Sequence, residues 1–244
     1  MTGSSAPLIK RPARVIAIDG PAASGKSSTA QAVADALGLA HLDSGALYRG
    51  VTLVALRECG AAPDAPLDAN RILLTAERRG LALHFDGRGY AVYLAGEPAD
   101  QAIRTPEVTA MVSPVSALAE VREWVNERLR ALARAGQSLV VDGRDIGTVV
   151  FPDADLKVFL TASPRIRAER RLRQRGERVD PAVLERETAA LAARDDADSR
   201  RAVAPLRIAP DAIPLDGSAM SFEEQVATIV ALARERTGGA RTAS

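Results

Sequence analysis

The stretch Gly20-Pro21-Ala22-Ala23-Ser24-Gly25-Lys26-Ser27 follows the pattern G-x-x-x-x-G-K-[ST] and has the means to hold a chain of phosphates. Small residues let the backbone curl until successive N–H groups face one anion. A helix starting at the end of such a loop adds its unbonded amides and the positive end of its dipole. The context fits: an apolar run, Val15–Asp19, precedes the loop, and helical spacing at Ala30, Val33, Ala34 and Leu37 follows it. On this reading Gly20, Pro21, Ala22, Ala23, Ser24, Gly25, Lys26, Ser27 and Ser28 bind ATP, and Lys26 reaches the β/γ-phosphates as a catalytic group. The Ser27 hydroxyl is placed to ligate Mg²⁺. A second apolar run, Leu139-Val140-Val141, ends in Asp142, the position from which a strand-end carboxylate approaches the same metal.

Arginine placement narrows the chemistry. Arg49 follows one short apolar run through Asp43-Ser44-Gly45-Ala46-Leu47-Tyr48, and Arg144 follows another through Asp142-Gly143. In an open parallel sheet the strand carboxyl ends share the ligand edge, so both guanidinium groups can converge beside the loop and clamp a phosphate monoester bidentately. Seven arginines crowd residues 165–178 with few acids to pair them. Some belong to a solvated face, but their density points to a mobile lid that touches phosphate. No Asn-Lys-x-Asp is present to read a guanine base, and the chain is too short for a motor.

The elements that must position these groups read as alternating strands and helices. Helical segments are expected at 27–37, 46–59, 68–79, from Pro106, at 121–135, 165–175, 181–194 and from Ser221, where Glu224 completes a capping box. Strands are expected at 15–19, 39–42, 138–141, 156–160 and, weakened by Pro214, at 213–216. Two further β-like runs, 81–85 and 90–94, flank a hairpin turn at Asp86-Gly87-Arg88-Gly89. The fold class that follows is α/β, a parallel sheet with helices on both faces. The expected organisation is a flexible lead-in at 1–13, a core made of 14–60, 106–164 and 202–236, a small α+β insertion at 61–105, a helical lid at 165–201 and a flexible tail at 237–244.

Composition excludes several other classes. The 244 residues hold 32 Lys plus Arg against 31 Asp plus Glu, a net charge of +1, so no bulk attraction to nucleic acid or an anionic membrane exists. The single Cys59 rules out a disulfide framework and a cysteine-rich metal site. His41 and His84 are expected to be packing or surface residues. No apolar run approaches the ~20 residues of a membrane helix, and residues 1–14 lack the apolar segment of a signal peptide. A cytoplasmic monomer is the expectation.

Longer motifs then carry a family resemblance over residues 15–236. Ile18-Asp19-Gly20-Pro21-Ala22, Leu42-Asp43-Ser44-Gly45-Ala46-Leu47-Tyr48-Arg49, Ile103-Arg104-Thr105-Pro106-Glu107-Val108, Asp142-Gly143-Arg144-Asp145-Ile146-Gly147-Thr148 and Arg194-Asp195-Asp196-Ala197-Asp198-Ser199-Arg200-Arg201 stand in this order. The sequence resembles the bacterial cytidylate kinases, P-loop nucleoside monophosphate (NMP) kinases that phosphorylate CMP and dCMP. The resemblance implies an NMP-kinase-like fold whose insertion binds the acceptor. It implies that Ser44, Arg49 and Arg144 hold the CMP phosphate, with Arg144 counted among the catalytic groups. Ser113, Arg122 and Asp145 would face the cytosine, with Arg201 close to the base. Asp198, steadied by Arg194, would meet the sugar hydroxyls, and Arg170 and Arg171 would reach the transferring phosphoryl. Many relatives carry Gly where Ala23 or Ser27 stands, and a charged residue where Ala197 stands. The alternatives are a P-loop kinase of another small acceptor (UMP, another NMP or a shikimate-like molecule) and a nucleotide-binding module without activity.

Overall fold

A computed structural model describes residues 13–63 and 65–238. The expected lead-in, apart from residue 13, and the tail from residue 239 onward lie outside the described residues. Strand β1 (Val15–Asp19) is buried along its whole length, as a continuous apolar run in a two-sided sheet must be. The other strands are β2 (Ala40–Asp43), β3 (Ala82–Phe85), β4 (Gly89–Leu94), β5 (Glu97–Pro98), β6 (Leu139–Gly143), β7 (Leu156–Thr161) and β8 (Ile213–Asp216). They form one sheet in the order β3-β4-β2-β6-β1-β7-β8, with β5 on β4. The pairs β2–β6, β6–β1, β1–β7 and β7–β8 are parallel, while β3–β4 and β4–β5 are antiparallel.

The hairpin expected to belong to an insertion is hydrogen-bonded into the central sheet, because β4 pairs in parallel with β2 through His41↔Gly89 and Leu42↔Tyr90. Gly89 permits this join, since a Cβ there would lie 2.7 Å from the His41 carbonyl oxygen. At the opposite edge, Pro214 lies in β8, which pairs only with β7 on this path, so its missing N–H can face the open side.

Alternate residues of β1 divide between two cores. Val15 and Ala17 face one with Leu47, Val51, Val121 and Leu129, from helices α2 (Ser44–Glu58) and α5 (Ala119–Arg134). Ile16 and Ile18 face the other with Val33 and Ile229, from α1 (Lys26–Leu37) and α8 (Phe222–Gly238). Helices therefore cover both faces, with α3 (Ala69–Arg78) and α4 (Pro106–Ala117) packed beside α2. A third, smaller cluster joins α6 (Pro164–Gln174) and α7 (Pro181–Arg200) to Ala22.

The chain's capping chemistry sets the helix starts. Asp43, Asp68, Thr105, Ser163 and Asp180 each accept a backbone N–H at a helix N-cap. At α8, Ser221 and Glu224 exchange side-chain bonds of 3.1 and 2.8 Å, the expected capping box. Helix α7 runs to Arg200 rather than ending near Arg194, because Asp195 and Asp198 on its last turns have partners in the body of the protein. Among the described residues no helix is long and apolar enough to cross a membrane.

Helix α3 tests how firmly the segment before the β3–β4 hairpin is attached. Ile72 is 1 % exposed and Leu74, on the same helix, is 55 % exposed. Ile72→Ala should cost about 2–5 kcal/mol through lost packing and a cavity, lowering Tm by about 5–15 °C in a domain of this size. Leu74→Ala should stay within about 2 °C of wild type. Thermal melts of the two variants side by side check the contrast.

Candidate active site

The carboxyl ends of β1, β2 and β6 meet at one edge of the sheet, where Asp43 is opposite Asp142 and Asp19 is opposite Gly143 in the strand register. The loop after β1 begins at Gly20 because nothing larger fits: a Cβ there would lie 2.0 Å from the Leu160 carbonyl oxygen. Ala23 then takes φ +58°, the left-handed region, and Gly25 takes φ +89° at the N-cap of α1. The amides of the first turn of α1 have no intrahelical acceptor and face the end of the loop. Lys26 Nζ donates to the Pro21 carbonyl at 3.1 Å. Burial, with the neighbouring Arg144 guanidinium, pushes this ammonium down to about 7, partly offset by Asp142 and Asp43.

The Ser27 hydroxyl donates to Asp142 Oδ2 at 2.5 Å, so the two groups read from sequence as metal ligands are in contact. Two hard oxygen donors suit Mg²⁺, which keeps several waters and borrows phosphate oxygens rather than demanding a full protein cage. Asp142's other oxygen lies 2.8 Å from His41 Nε2, and His41 Nδ1 lies 3.1 Å from Gln31 Oε1. Burial alone would raise the Asp142 carboxyl, but the hydrogen bond and charge of His41 outweigh it and hold the group below the usual carboxylate range. Conversely, burial opposes the imidazolium, yet Asp142 raises His41 above its ordinary value. His41 is thus not the packing or surface residue its isolation in the sequence suggests. The available signal was strand alternation, which puts His41 on the face of β2 that carries Asp43.

The loop opens onto a cavity of about 350 Å³. Ala22, Ala23, Gly25, Lys26, Ser27 and Ser28 line it, whereas Gly20, Pro21 and Ser24 of the expected ATP-binding set do not. The expected acceptor-side residues Ser44, Arg49, Ser113, Arg122, Arg144, Asp145, Arg194, Asp198 and Arg201 all line the same space, as do Arg170, Arg171 and Asp142. Nine basic side chains and four carboxylates contribute to the wall, an excess of positive charge that favours a polyanion.

Several of these side chains hold one another. Arg122 donates to Asp145 at 2.5 Å and to the Ser116 carbonyl at 3.1 Å, with its guanidinium 5.3 Å from the Tyr48 ring centroid. Arg144 Nε donates to Asp198 Oδ2 at 3.0 Å, and Arg201 is 3.2 Å from Asp198 Oδ1. Asp198 is therefore in direct contact with Arg144 and Arg201, while Arg194, its partner in the family resemblance, acts on it through charge without an ion pair among the described residues. Arg194 remains close, and burial beside Arg144 pushes it down to about 10. Its buried Nε, like that of Arg122, has no acceptor within the described protein. Arg49 donates to Thr109 Oγ1 at 2.9 Å, and Ser44 donates to the Asp142 carbonyl at 2.7 Å. On α6, Arg170 donates to the Gly217 carbonyl at 2.7 Å, while Arg171 is 3.3 Å from Glu187 of α7.

Asp19 sets the backbone behind these groups. Its two oxygens accept the amides of Ile146 and Gly147 at 2.8 and 2.7 Å. They thereby anchor the wide helical turn Ile146–Val150 that follows Asp145. Sequence periodicity gives no sign of this turn, because a single turn of π-helix is too short to repeat.

The cytidylate kinase family profile matches residues 16–235 of this chain. A cytidylate kinase of Lactococcus lactis subsp. cremoris (strain MG1363) is 44% identical over 86% of this chain and 93% of its own length. One from Aeromonas salmonicida (strain A449) is 41% identical over 93% of this chain and 97% of its own length. A bifunctional pantoate ligase/cytidylate kinase of Synechococcus sp. (strain RCC307) is 46% identical over 91% of this chain, which spans 43% of that longer protein.

Asp19 yields a pH dependence with a definite sign. Burial raises its carboxyl from 3.8 to about 6, against the two amide bonds that lower it. The folded state therefore holds this proton more tightly than the unfolded chain. The resulting stability is fully present below about pH 3.8 and is lost as pH rises through about 6. Asp19→Asn lacks that titration. The stability of wild type relative to Asp19→Asn should fall by roughly 2 kcal/mol between pH 4 and pH 7. Urea unfolding of both proteins at the two pH values measures it, and a pH-independent difference would contradict the assignment.

Proposed function

Because this chain belongs to the cytidylate kinase family, we propose how its own side chains divide the work of moving the γ-phosphoryl group of ATP to the phosphate of CMP or dCMP. The products are ADP and CDP or dCDP. The observation that carries the division of roles is the shared cavity: the phosphate loop after β1 and the arginines after β2 and β6 face one space.

ATP takes the loop from Gly20 to Ser28, with Lys26 against its β/γ-phosphates. Ser27 and Asp142 would hold Mg²⁺, which when bound neutralises charge on the donor phosphates. Ser44, Arg49 and Arg144 receive the acceptor phosphate. That phosphate is a dianion near neutral pH and already a nucleophile, so the reaction needs no general base. The buried Arg122–Asp145 pair presents a donor beside an acceptor. Cytosine answers it with a ring acceptor next to an amino donor, whereas uracil carries a carbonyl oxygen where the amino group would be. This favours CMP over UMP and disfavours a shikimate-like acceptor. Asp198, held by Arg144 and Arg201, meets the sugar hydroxyls. Arg170 and Arg171 approach the transferring group from α6, and Arg194 adds charge from α7. Catalysis on this account is alignment plus charge neutralisation, with water excluded by lid closure. Residues 61–105 serve as the acceptor-binding insertion and 165–201 as the lid on a core of 14–60, 106–164 and 202–236, working as a cytoplasmic monomer.

A coupled ADP-release assay across CMP, dCMP, UMP, AMP and shikimate tests the reading. CMP and dCMP should turn over well above the other three. With CMP, Lys26→Ala should lose two or more decades of kcat while its melting curve stays cooperative. Turnover at the wild-type rate in that variant would remove Lys26 from the mechanism.

Arg144→Lys separates a phosphate clamp from a structural ion pair. Lysine keeps the charge but has no fork to bond Asp198 and a phosphate together. Loss of one charge-assisted hydrogen bond, worth roughly 1.5–3 kcal/mol, should lower kcat/KM for CMP by about one to two decades. A variant that loses thermal stability yet keeps CMP kinetics would mean that Arg144 only braces α7.

A further inference from the structure

Two residues outside the catalytic assignments grip the phosphate loop from the lid helices. The Ala22 amide donates to Asp195 Oδ1 at 3.0 Å. The Ala22 carbonyl accepts from Arg167 Nη1 at 2.7 Å. The same Nη1 lies 2.7 Å from Asp195 Oδ2, which closes a ring of three residues. Arg167 Nε donates to the Ala162 carbonyl just past β7 at 2.8 Å, fixing the guanidinium plane. Arg167 is 3 % exposed and Ala22 is 3 % exposed, with Ala168, Leu172, Leu184 and Leu191 sealing the cluster. Both polar groups of one loop residue are thus bonded to α6 and α7, through a buried guanidinium and a half-buried carboxylate.

The residue after the clamp explains what it is for. Ala23 sits at φ +58°, where an L-residue crowds its own backbone and glycine does not. Left alone, the loop would relax away from this conformation. With Ala22 held at both its amide and its carbonyl, Ala23 has no room to relax, and the amides beyond it keep their direction. We propose that Asp195 and Arg167 are positioning residues for the donor site: through Ala22 they hold the left-handed turn at Ala23 in its phosphate-accepting shape. Asp195 is also next to Arg194 and three residues before Asp198 on α7, so the helix that carries acceptor-side groups braces the donor loop. The inference rests on the reading of residues 20–28 as the ATP site.

The test uses the full-length enzyme and separate titrations of ATP and CMP. Asp195→Asn keeps the shape of the side chain and loses its charge. It should raise the Kd for ATP by about tenfold while leaving the Kd for CMP within about twofold of wild type. The discriminating measurement is a double-mutant cycle with Ala23→Gly. Glycine adopts the left-handed turn without the clamp, so Asp195→Asn should cost much less ATP affinity in the Ala23→Gly background than in the Ala23 background. Arg167→Lys, which keeps the buried charge but not the fork, should show the same selective loss and the same relief. The proposal is overturned if ATP affinity is unchanged, if ATP and CMP weaken equally, or if the loss is the same in both backgrounds. Failure of wild type itself to bind ATP would instead overturn the assignment of the ATP site, so the two failures are distinguishable.

Discussion

Crowding cations around a closed space is unfavourable, and the architecture of this protein is arranged around that cost. Lys26 is pushed down to about 7 and Arg194 to about 10, each by burial first and by Arg144 next. Burial, together with neighbouring arginines, also lowers Arg49. Carboxylates from three elements hold the cluster together without cancelling it: Asp142 from β6, Asp145 just beyond it and Asp198 from α7. A polyphosphate relieves what remains. Binding energy is therefore stored in the protein's own electrostatics before either nucleotide arrives, in positions fixed by α1, α2, α7 and the end of β6.

Parallel pairing makes such a cluster possible. Strands β1, β2 and β6 end at one edge, and each hands its next residues to that edge. The loop after β1, Asp43-Ser44 and Gly143-Arg144-Asp145 are neighbours in space for this reason, although 123 positions separate Ala22 from Asp145 along the chain. The edge also extends further than the core strands. Arg88 at the hairpin turn bonds Asp35, Asp35 bonds Gln31, Gln31 meets His41, and His41 meets Asp142. A polar chain thus runs from Asp142 to the β3–β4 turn.

Much of this was legible in the amino-acid sequence. Val15–Asp19 reads as a buried strand because it is a short apolar run closed by Gly20-Pro21, and it is buried throughout; the Gly20–Ser27 spacing identifies its loop because backbone sterics allow few alternatives. Capping residues such as Asp68 and Ser221 mark helix starts by direct hydrogen bonding. What was not legible depends on contacts distant in the chain. The hairpin reads as a local unit, yet its place in the central sheet comes from the pairing of Gly89 with His41. His41 acquires its role only when β2 and β6 lie side by side. Asp198 is bonded to Arg144, fifty-four residues away, as well as to Arg201 nearby, whereas Arg194 on the same helix acts on it through charge alone. Residues whose function is to hold other groups in place leave little periodic signal. Asp19, Arg167 and Asp195 are of that kind.

The clamp on Ala22 also has a mechanical consequence. Helices α6 and α7 are bound to the core near Arg167 and Asp195, while the connection between them, around Gly176, is exposed. Arg171 and Arg175 both pair with Glu187, so the two helices travel as one arm. From Asp195 back to Pro181 the arm is about 21 Å long at the rise of an α-helix. A rotation of about 10° at the fixed end sweeps the tip through about 4 Å over that length, whereas the residues beside the loop hardly move. The fulcrum lies against the loop that follows β1, and the travel is delivered far from it.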